Sequence, residues 1–202
     1  MKLYTASASP FGRTVKVVAH ELSLMEAITV EAVTVAPTKP NEAFQAKNPL
    51  RKIPAMELED GTVLSDSGLI AQYLASRAGD TDLFAENSPG RWAMLADYQL
   101  AKGMADCAVS ARYETFLRPE ERRWPDWAAD QHDKIDAGLK RFDAAPPAVE
   151  GHLTIAAIAL GATLGYLDFR FTDRDWRSGH PALAEWALPI LERPSFEATK
   201  PA

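Results

Sequence analysis

The sequence predicts an α/β fold for its first part and an all-helical fold for its second part. Residues 1–78 mix short β-type runs with helical spacing, whereas residues 90–202 carry helical spacing alone. Residues 79–89, between the two parts, are largely polar and contain the turn formers Gly, Asn, Ser and Pro. We therefore expect two domains, 1–78 and 90–202, joined by a linker at 79–89.

The first part begins with a strand that leads into a helix. Residues 2–5 alternate like a strand, and Ser9 and Pro10 are typical of the N-cap and first turn of a helix. The apolar residues of that helix recur with helical spacing, at Val15, Val18, Ala19 and Leu22. Residues 29–35 are rich in β-branched side chains and predict a second strand, and residues 41–47 a short helix.

A hairpin and a third helix complete the first part. Residues 54–58 and 62–64 read as two strands around the Asp60-Gly61 turn. Residues 65–67 then resemble a helix cap, and the expected inner face of the helix comprises Leu69, Ile70, Tyr73 and Leu74. The predicted order is β-α-β-α-β-β-α.

Four helices are predicted in the second part. They cover residues 91–117, 125–142, 155–169 and 181–191, and the second carries the stripe Ile135, Leu139 and Phe142. Residues 155–169 are apolar on nearly every side, so we expect them to form the central, buried helix.

Composition excludes several classes of function. The 202 residues carry 22 Lys and Arg against 28 Asp and Glu, a net charge of −6, which argues against a nucleic-acid partner. A single cysteine, Cys107, and four isolated histidines predict neither a disulfide nor a metal site. The sequence starts without an apolar signal core and has no run long enough to span a bilayer, so we expect no membrane partner and a cytoplasmic location.

Three short segments have the residue types of a binding site. Residues 9–12, Ser-Pro-Phe-Gly, place a hydroxyl at a helix N-terminus, which suits a thiolate or carboxylate; the alternative is a plain helix cap. In residues 48–54, a cis Ile53-Pro54 bond would turn the Ile53 backbone outward to pair with an extended ligand, whereas a trans bond would be an ordinary strand start. In residues 65–67, Asp66 and Ser67 suit a ligand ammonium and carboxylate, or only cap a helix.

Taken together, the segments resemble the cytosolic glutathione transferase family over the whole chain. The phrases SPFGRTV at 9–15, NPLRKIP at 48–54 and SDSGLI at 65–70 are similar to its thioredoxin-like half, and GYLDFR at 165–170 is similar to its bacterial branch. The resemblance implies a thioredoxin-like α/β N-terminal domain plus an all-α C-terminal domain, with a glutathione site at the carboxyl ends of the strands. It also implies a homodimer with a role in detoxification.

The resemblance also implies roles for individual residues. Ser9 is similar in position to the catalytic serine of the family, whose hydroxyl would donate a hydrogen bond to the glutathione sulfur and favour its thiolate. The Ile53 backbone would pair with the cysteinyl unit, and Asp66 and Ser67 would bind the γ-glutamyl end. For the glycine carboxylate the candidates are Arg51 and Lys52, although each suits a surface-charge role equally well. Phe11, Arg112 and Tyr113 are candidates for the second-substrate pocket, or alternatively core residues.

The expected activity is conjugation of glutathione, a co-substrate rather than a cofactor, to a small electrophile. A glutathione-dependent peroxidase or disulfide reductase would use the same residues, and a non-catalytic binding module would not need Ser9. The Cys-Pro-x-Cys motif of dithiol oxidoreductases is absent at residues 9–12. In addition, Thr154 begins the central helix where the family has a capping box, but Ala157 replaces its Asp, and we expect this to cost about 1 kcal/mol of folding stability.

Overall fold

A four-stranded mixed sheet and three helices form the first part of the chain in the computed structural model, which describes residues 1–149 and 151–201. The elements are β1 (Lys2–Thr5), α1 (Pro10–Glu21), β2 (Thr29–Ala32), α2 (Glu42–Gln45), β3 (Ala55–Glu57), β4 (Val63–Ser65) and α3 (Ser67–Ala78), with a 3-10 turn at Met25–Ala27. Their order confirms the predicted β-α-β-α-β-β-α pattern.

The sheet order is β2-β1-β3-β4, with β2 parallel to β1 and the other neighbours antiparallel. The hairpin between β3 and β4 turns at Gly61, whose φ of +86° favours glycine. Tyr4 pairs with Ala55, and Ala55 pairs with Ser65. The end of β1, the start of β3 and the end of β4 therefore lie at one edge of the sheet.

The second part of the described chain is helical. Its elements are α4 (Arg91–Arg112), α5 (Pro125–Ala144), α6 (Ile155–Arg170), α7 (Trp176–Gly179), α8 (Pro181–Leu191) and α9 (Pro194–Glu197). A π-helical turn at Tyr113–Leu117 and a 3-10 turn at Glu120–Arg122 connect α4 to α5. The residues of α6 from Ile155 to Leu167 are all buried, which confirms the predicted central helix.

Four expectations about the elements need correction. The predicted helix 91–117 stops as an α-helix at Arg112, and the strand 29–35 stops at Ala32 because β1, its neighbour in the sheet, ends at Thr5. Leu69 was expected on the inner face of α3 but is 47% exposed, because that face is formed by Ile70, Ala71, Leu74 and Ala75. Helices α7 and α9 were missed because a single turn is too short to show a helical period.

A buried arginine joins the two parts. Arg13, on α1, is only 3% exposed and donates a hydrogen bond from Nη2 to the Phe196 carbonyl at 3.1 Å. Its guanidinium also lies over the Phe196 ring and against Gly165 of α6, where no side chain intervenes. Burial lowers the pKa of this guanidinium, and the charge of Asp168 opposes that effect.

The linker contributes to the core as well as connecting the two parts. Leu83 and Phe84 are buried, and the Leu83 carbonyl accepts a hydrogen bond from the Ile155 N–H at the start of α6. The division into domains at 79–89 stays a prediction. No helix within residues 1–149 and 151–201 is both long and apolar enough to cross a membrane, and the cytoplasmic location also stays a prediction.

We expect Gly165→Ala to lower the free energy of unfolding by about 1–3 kcal/mol, because the new Cβ would overlap Nη1 of the hydrogen-bonded Arg13. The matched control is Gly103→Ala on α4, where a Cβ meets nothing within 4 Å and helix propensity predicts a gain of about 0.5–1 kcal/mol. Urea unfolding of both variants measures the difference. Equal effects at the two glycines would contradict the proposed close approach.

We expect Ala157→Asp to raise the free energy of unfolding by about 1 kcal/mol by completing the capping box of α6. Thr154 already caps the helix, accepting from the Ala157 N–H at 3.4 Å, and an Asp at this position would reach back to the Thr154 N–H. Ala156→Asp is the control, since it buries the same carboxylate without the box geometry. An unchanged denaturation midpoint in the Ala157→Asp variant would show that the second half of the box has no effect here.

Candidate active site

The register of the sheet brings the three predicted segments to one edge. Ser9 follows the end of β1, Ile53 precedes the start of β3, and Asp66 follows the end of β4. Because β3 runs antiparallel to its neighbours, the site lies at the carboxyl ends of β1 and β4 but at the amino end of β3. The position expected for glutathione, at the carboxyl ends of the strands, therefore also borders the amino end of β3, and the binding of glutathione there stays a prediction.

Ser9 caps α1 in a way that leaves its hydroxyl proton free for a ligand. Its Oγ accepts a hydrogen bond from the Gly12 N–H at 3.1 Å, so the oxygen acts as acceptor in the cap. The side chain of Ser9 is partly exposed, at the positive end of the helix dipole. Glycine is required at position 12, because a Cβ there would overlap Oγ1 of Thr5. The site can thus offer a hydroxyl donor and a positive potential to the same anion.

A buried asparagine fixes the loop that carries the two basic candidates. Asn48 is 4% exposed; its Nδ2 donates to the Lys52 carbonyl at 2.8 Å, and its Oδ1 accepts from the Leu50 N–H at 3.2 Å. Arg51 has a φ of +55°, and both Arg51 and Lys52 are exposed. The charged side chains of Arg51 and Lys52 are therefore exposed to solvent, on a loop whose backbone is held in place by the hydrogen bonds of Asn48.

The Ile53-Pro54 peptide bond is cis, which decides between the two alternatives left by the sequence. Ile53 lies outside β3, and its N–H and C=O make no hydrogen bond with other groups in the described part of the chain. A backbone donor and acceptor are thus available there for an extended, peptide-like ligand.

Asp66 and Ser67 form the start of α3. Asp66, with a φ of +82°, is the N-cap, and its Oδ1 accepts from the Gly68 N–H at 2.8 Å. Ser67 is buried. The capping alternative is therefore confirmed for Asp66, yet only one of its two carboxylate oxygens is used in the cap. The other oxygen, Oδ2, forms an ion pair with Lys102 at 3.1 Å.

Helix α4 brings three further residues to this point, and no local sequence pattern indicates them because the contact is between distant segments. They are Tyr98, Lys102 and Asp106. Burial raises the pKa of Tyr98 to about 12, and its hydroxyl makes no hydrogen bond of normal geometry with the described residues, although Ser67 lies near enough to favour its ionised form. Burial also raises the pKa of Asp106, against the charges of Lys102 and Lys52.

The second-substrate candidates lie on two elements. Phe11 is half-buried in the first turn of α1, next to Ser9. Arg112 ends α4 and stacks on the Phe116 ring at 3.9 Å from its centroid, while burial raises the pKa of Tyr113. Phe116 is 61% exposed and was not predicted as a site residue; its position in the π-helical turn gave no periodic signal.

The remaining candidate groups for chemistry show no activation. Burial raises the pKa of the Cys107 thiol, the opposite of what a nucleophilic cysteine requires. Over residues 1–149 and 151–201, no group of three or more His, Cys, Asp and Glu side chains is arranged to hold a metal ion.

Comparison with known proteins identifies the family. The model of the glutathione S-transferase N-terminal domain matches residues 3–82, and the model of the C-terminal domain matches residues 125–187. A crystal structure of a glutathione transferase family member from Pseudomonas fluorescens Pf-5, with bound glutathione, is 40% identical, with a TM-score of 0.95 over 100% of this chain and 98% of that one. The chain belongs to the glutathione transferase family.

Two further comparisons support this assignment and the fold. A glutathione transferase family member from Pseudomonas fluorescens Pf-5 with bound S-(propanoic acid)-glutathione is 39% identical, with a TM-score of 0.91 over 100% of this chain and 99% of that one. The uncharacterized GST-like protein YibF of Escherichia coli K12 is 28% identical over 100% of this chain and 98% of its own length. The thioredoxin-like α/β part with an all-α second part is the glutathione transferase fold.

We expect Gly68→Ala to destabilise the protein by about 1–3 kcal/mol, because a Cβ at Gly68 would lie 2.5 Å from the Tyr98 hydroxyl. Tyr98→Phe removes that oxygen, leaving the ring carbon at 3.4 Å as the next contact on the tyrosine. The Gly68→Ala/Tyr98→Phe double variant should therefore recover most of the loss. Urea unfolding of the four proteins gives the coupling energy, and simple additivity would refute the contact.

Proposed function

We propose that this protein binds glutathione, ionises its thiol and conjugates it to small electrophilic, largely apolar substrates. Glutathione is the co-substrate, and the proposed reaction needs no cofactor or metal. Membership of the glutathione transferase family and the three segments at one edge of the sheet support the proposal.

The observation that carries the proposal is the geometry of Ser9. Its Oγ already accepts the Gly12 N–H, which orients the hydroxyl and leaves its proton for a ligand. A hydrogen bond from this hydroxyl to sulfur, together with the helix N-terminus, stabilises the thiolate more than the thiol. The thiol pKa, about 8.5 in free cysteine, would fall by about one to three units. Ser9 would remain uncharged and form no covalent bond.

The remainder of the tripeptide fits the other groups at this edge. The N–H and C=O of Ile53, which have no hydrogen-bond partner among the described residues, suit the cysteinyl unit, whereas Asp66 and Ser67 suit the amino-acid end of the γ-glutamyl unit. Arg51 and Lys52, on their fixed loop, suit the glycine carboxylate. These contacts would hold the sulfur beside Ser9.

In the proposed reaction the thiolate attacks the electrophilic carbon of the second substrate. The thiol proton has by then passed to solvent. As the carbon–sulfur bond forms, either the bond to the leaving group breaks and its electron pair departs with that group, or the π electron pair of an activated double bond moves onto the neighbouring atoms, which then take up a proton from solvent. Phe11, Arg112 and Tyr113 would line the pocket for that substrate. Most of the rate enhancement would come from thiolate stabilisation and from holding the two reactants together. The homodimer expected from the family stays a prediction.

Conjugation is favoured over peroxide or disulfide reduction by one comparison. The similar protein from Pseudomonas fluorescens Pf-5 holds S-(propanoic acid)-glutathione, a glutathione whose sulfur carries a carbon substituent. A site of this kind therefore accommodates a thioether, the product class of conjugation.

The test is a pH titration of the ultraviolet absorbance of the glutathione thiolate in the presence of the wild-type protein and of Ser9→Ala. We expect the bound thiol of the wild type to titrate at least one pH unit below free glutathione and the variant to lose that shift. Conjugation of a model electrophile should fall by about 10- to 100-fold in Ser9→Ala, the value of one hydrogen bond to a charged group.

Ser88→Ala is the control, because Ser88 Oγ also accepts a backbone N–H, that of Gly90 at 3.1 Å, in a turn before α4 and outside the candidate site. It should leave both the thiol pKa and the rate unchanged. An unshifted thiol pKa in the wild type would contradict the transferase proposal. A shifted pKa with turnover of peroxides or disulfides but not of electrophiles would identify a reductase instead.

A further inference from the structure

An ion pair between the two parts of the chain lies at the γ-glutamyl end of the proposed glutathione site. Lys102 Nζ, on α4, is 3.1 Å from Asp66 Oδ2, at the N-cap of α3. The other Asp66 oxygen is held by the Gly68 N–H, so the direction of the carboxylate is fixed. The Lys102 side chain is 23% exposed, against 43% for Lys2 in the surface pair with Glu31.

The position of Lys102 is set by the face of α4 that carries it. Tyr98, Lys102 and Asp106 recur every four residues and therefore share one face of the helix. Tyr98 is 4% exposed, and its hydroxyl lies against Gly68 in the first turn of α3 without a hydrogen bond of normal geometry in the described structure. One turn on, Asp106 experiences the charges of Lys102 and Asp66. A buried hydroxyl and the Lys102 ammonium thus lie at the start of α3.

The arrangement matches the charges of an α-amino acid. In the γ-glutamyl unit of glutathione, an ammonium and a carboxylate are bonded to the same carbon. Asp66 and Lys102 present the opposite charges at neighbouring positions, so the ligand ammonium can pair with Asp66 while the ligand carboxylate pairs with Lys102. The four charges would then alternate in sign around a closed ring, in which every neighbouring pair attracts.

We propose that Lys102 is a specificity-determining residue that binds the α-carboxylate of the γ-glutamyl unit, so that the Asp66–Lys102 pair selects thiols with a free α-amino acid end. This inference rests on the proposed function, because it takes glutathione as the ligand. It adds a contact from the helical part of the same chain to a site otherwise built from the first part.

The experiment compares the binding of two peptides to the wild type, Lys102→Met and Lys102→Arg by titration calorimetry. The first peptide is glutathione, and the second is 4-aminobutyryl-cysteinyl-glycine, which lacks only the α-carboxylate. We expect Lys102→Met to weaken glutathione binding about ten-fold and to leave binding of the second peptide unchanged. Lys102→Arg should retain most of the glutathione affinity because it keeps the charge. The control Lys2→Met, which removes a surface ion pair at the far end of β1, should change neither affinity.

Three outcomes would overturn the inference. Equal weakening of both peptides by Lys102→Met would show that the lysine acts only on the structure of the site. Tighter binding of glutathione by this variant would show that Lys102 competes with the ligand ammonium for Asp66. In both of these results the wild type still binds glutathione, so the proposed function stands. The third outcome is that the wild type binds neither peptide, in which case the proposed function fails and this inference fails with it.

Discussion

The buried guanidinium of Arg13 is the interaction on which the arrangement of the two parts depends. It reaches from α1 to the Phe196 carbonyl through the space left by the missing side chain of Gly165. Burial makes the charge costly, but arginine remains protonated in proteins, and the Asp168 carboxylate partly offsets the cost. Such a group is tolerated only where its hydrogen bond and its surroundings are fixed. The relative position of α1 and α6, and with it that of Ser9, therefore has little freedom.

Helix α1 is held at more than one point along its length, which limits the movement of Ser9 at its start. At its carboxyl end, Glu21 forms an ion pair with Arg193, the residue before α9, and accepts a hydrogen bond from Ser195 in α9. Contacts from Arg13 in the first turn and from Glu21 at the end thus hold a helix whose first residue follows Ser9. A hydrogen bond that is to stabilise a thiolate must be correctly placed before the charge appears, since reorganisation would consume part of its effect. The position of Arg51, on a loop, can be less accurate, because the attraction between a cation and a carboxylate acts over a longer range than a hydrogen bond.

Local patterns predicted most of the fold and indicated three segments of the candidate site. The strand and helix order, the buried α6 and the cap at Ser9 depend on nearby residues, so the sequence alone indicated them. Only the observed pairing of β1 with β3 shows that Ser9 and Ile53 lie at the same edge of the sheet, because local sequence patterns do not predict the register between two strands. Lys102 was not predicted as a site residue for the same reason, because its ion-pair partner Asp66 lies 36 residues away on another element. The exposure of Leu69 was mispredicted because the roughly three turns of α3 offer more than one apolar face.

The charge distribution explains how an acidic protein can recognise an anionic peptide. The net charge of −6 is a property of the whole surface, whereas binding depends on the charges within a few ångströms of the ligand, where screening is weak. Two groups of charges lie at this edge of the sheet. The cations of Arg51 and Lys52 are on the side proposed for the glycine end of the peptide, and the Asp66–Lys102 ion pair is on the side proposed for the γ-glutamyl end. Binding energy from both ends would then be used to place the sulfur at Ser9, where a thiol without those ends would lose accuracy as well as affinity. In the proposed reaction, recognition of the peptide and activation of its thiol would therefore depend on the same arrangement of residues.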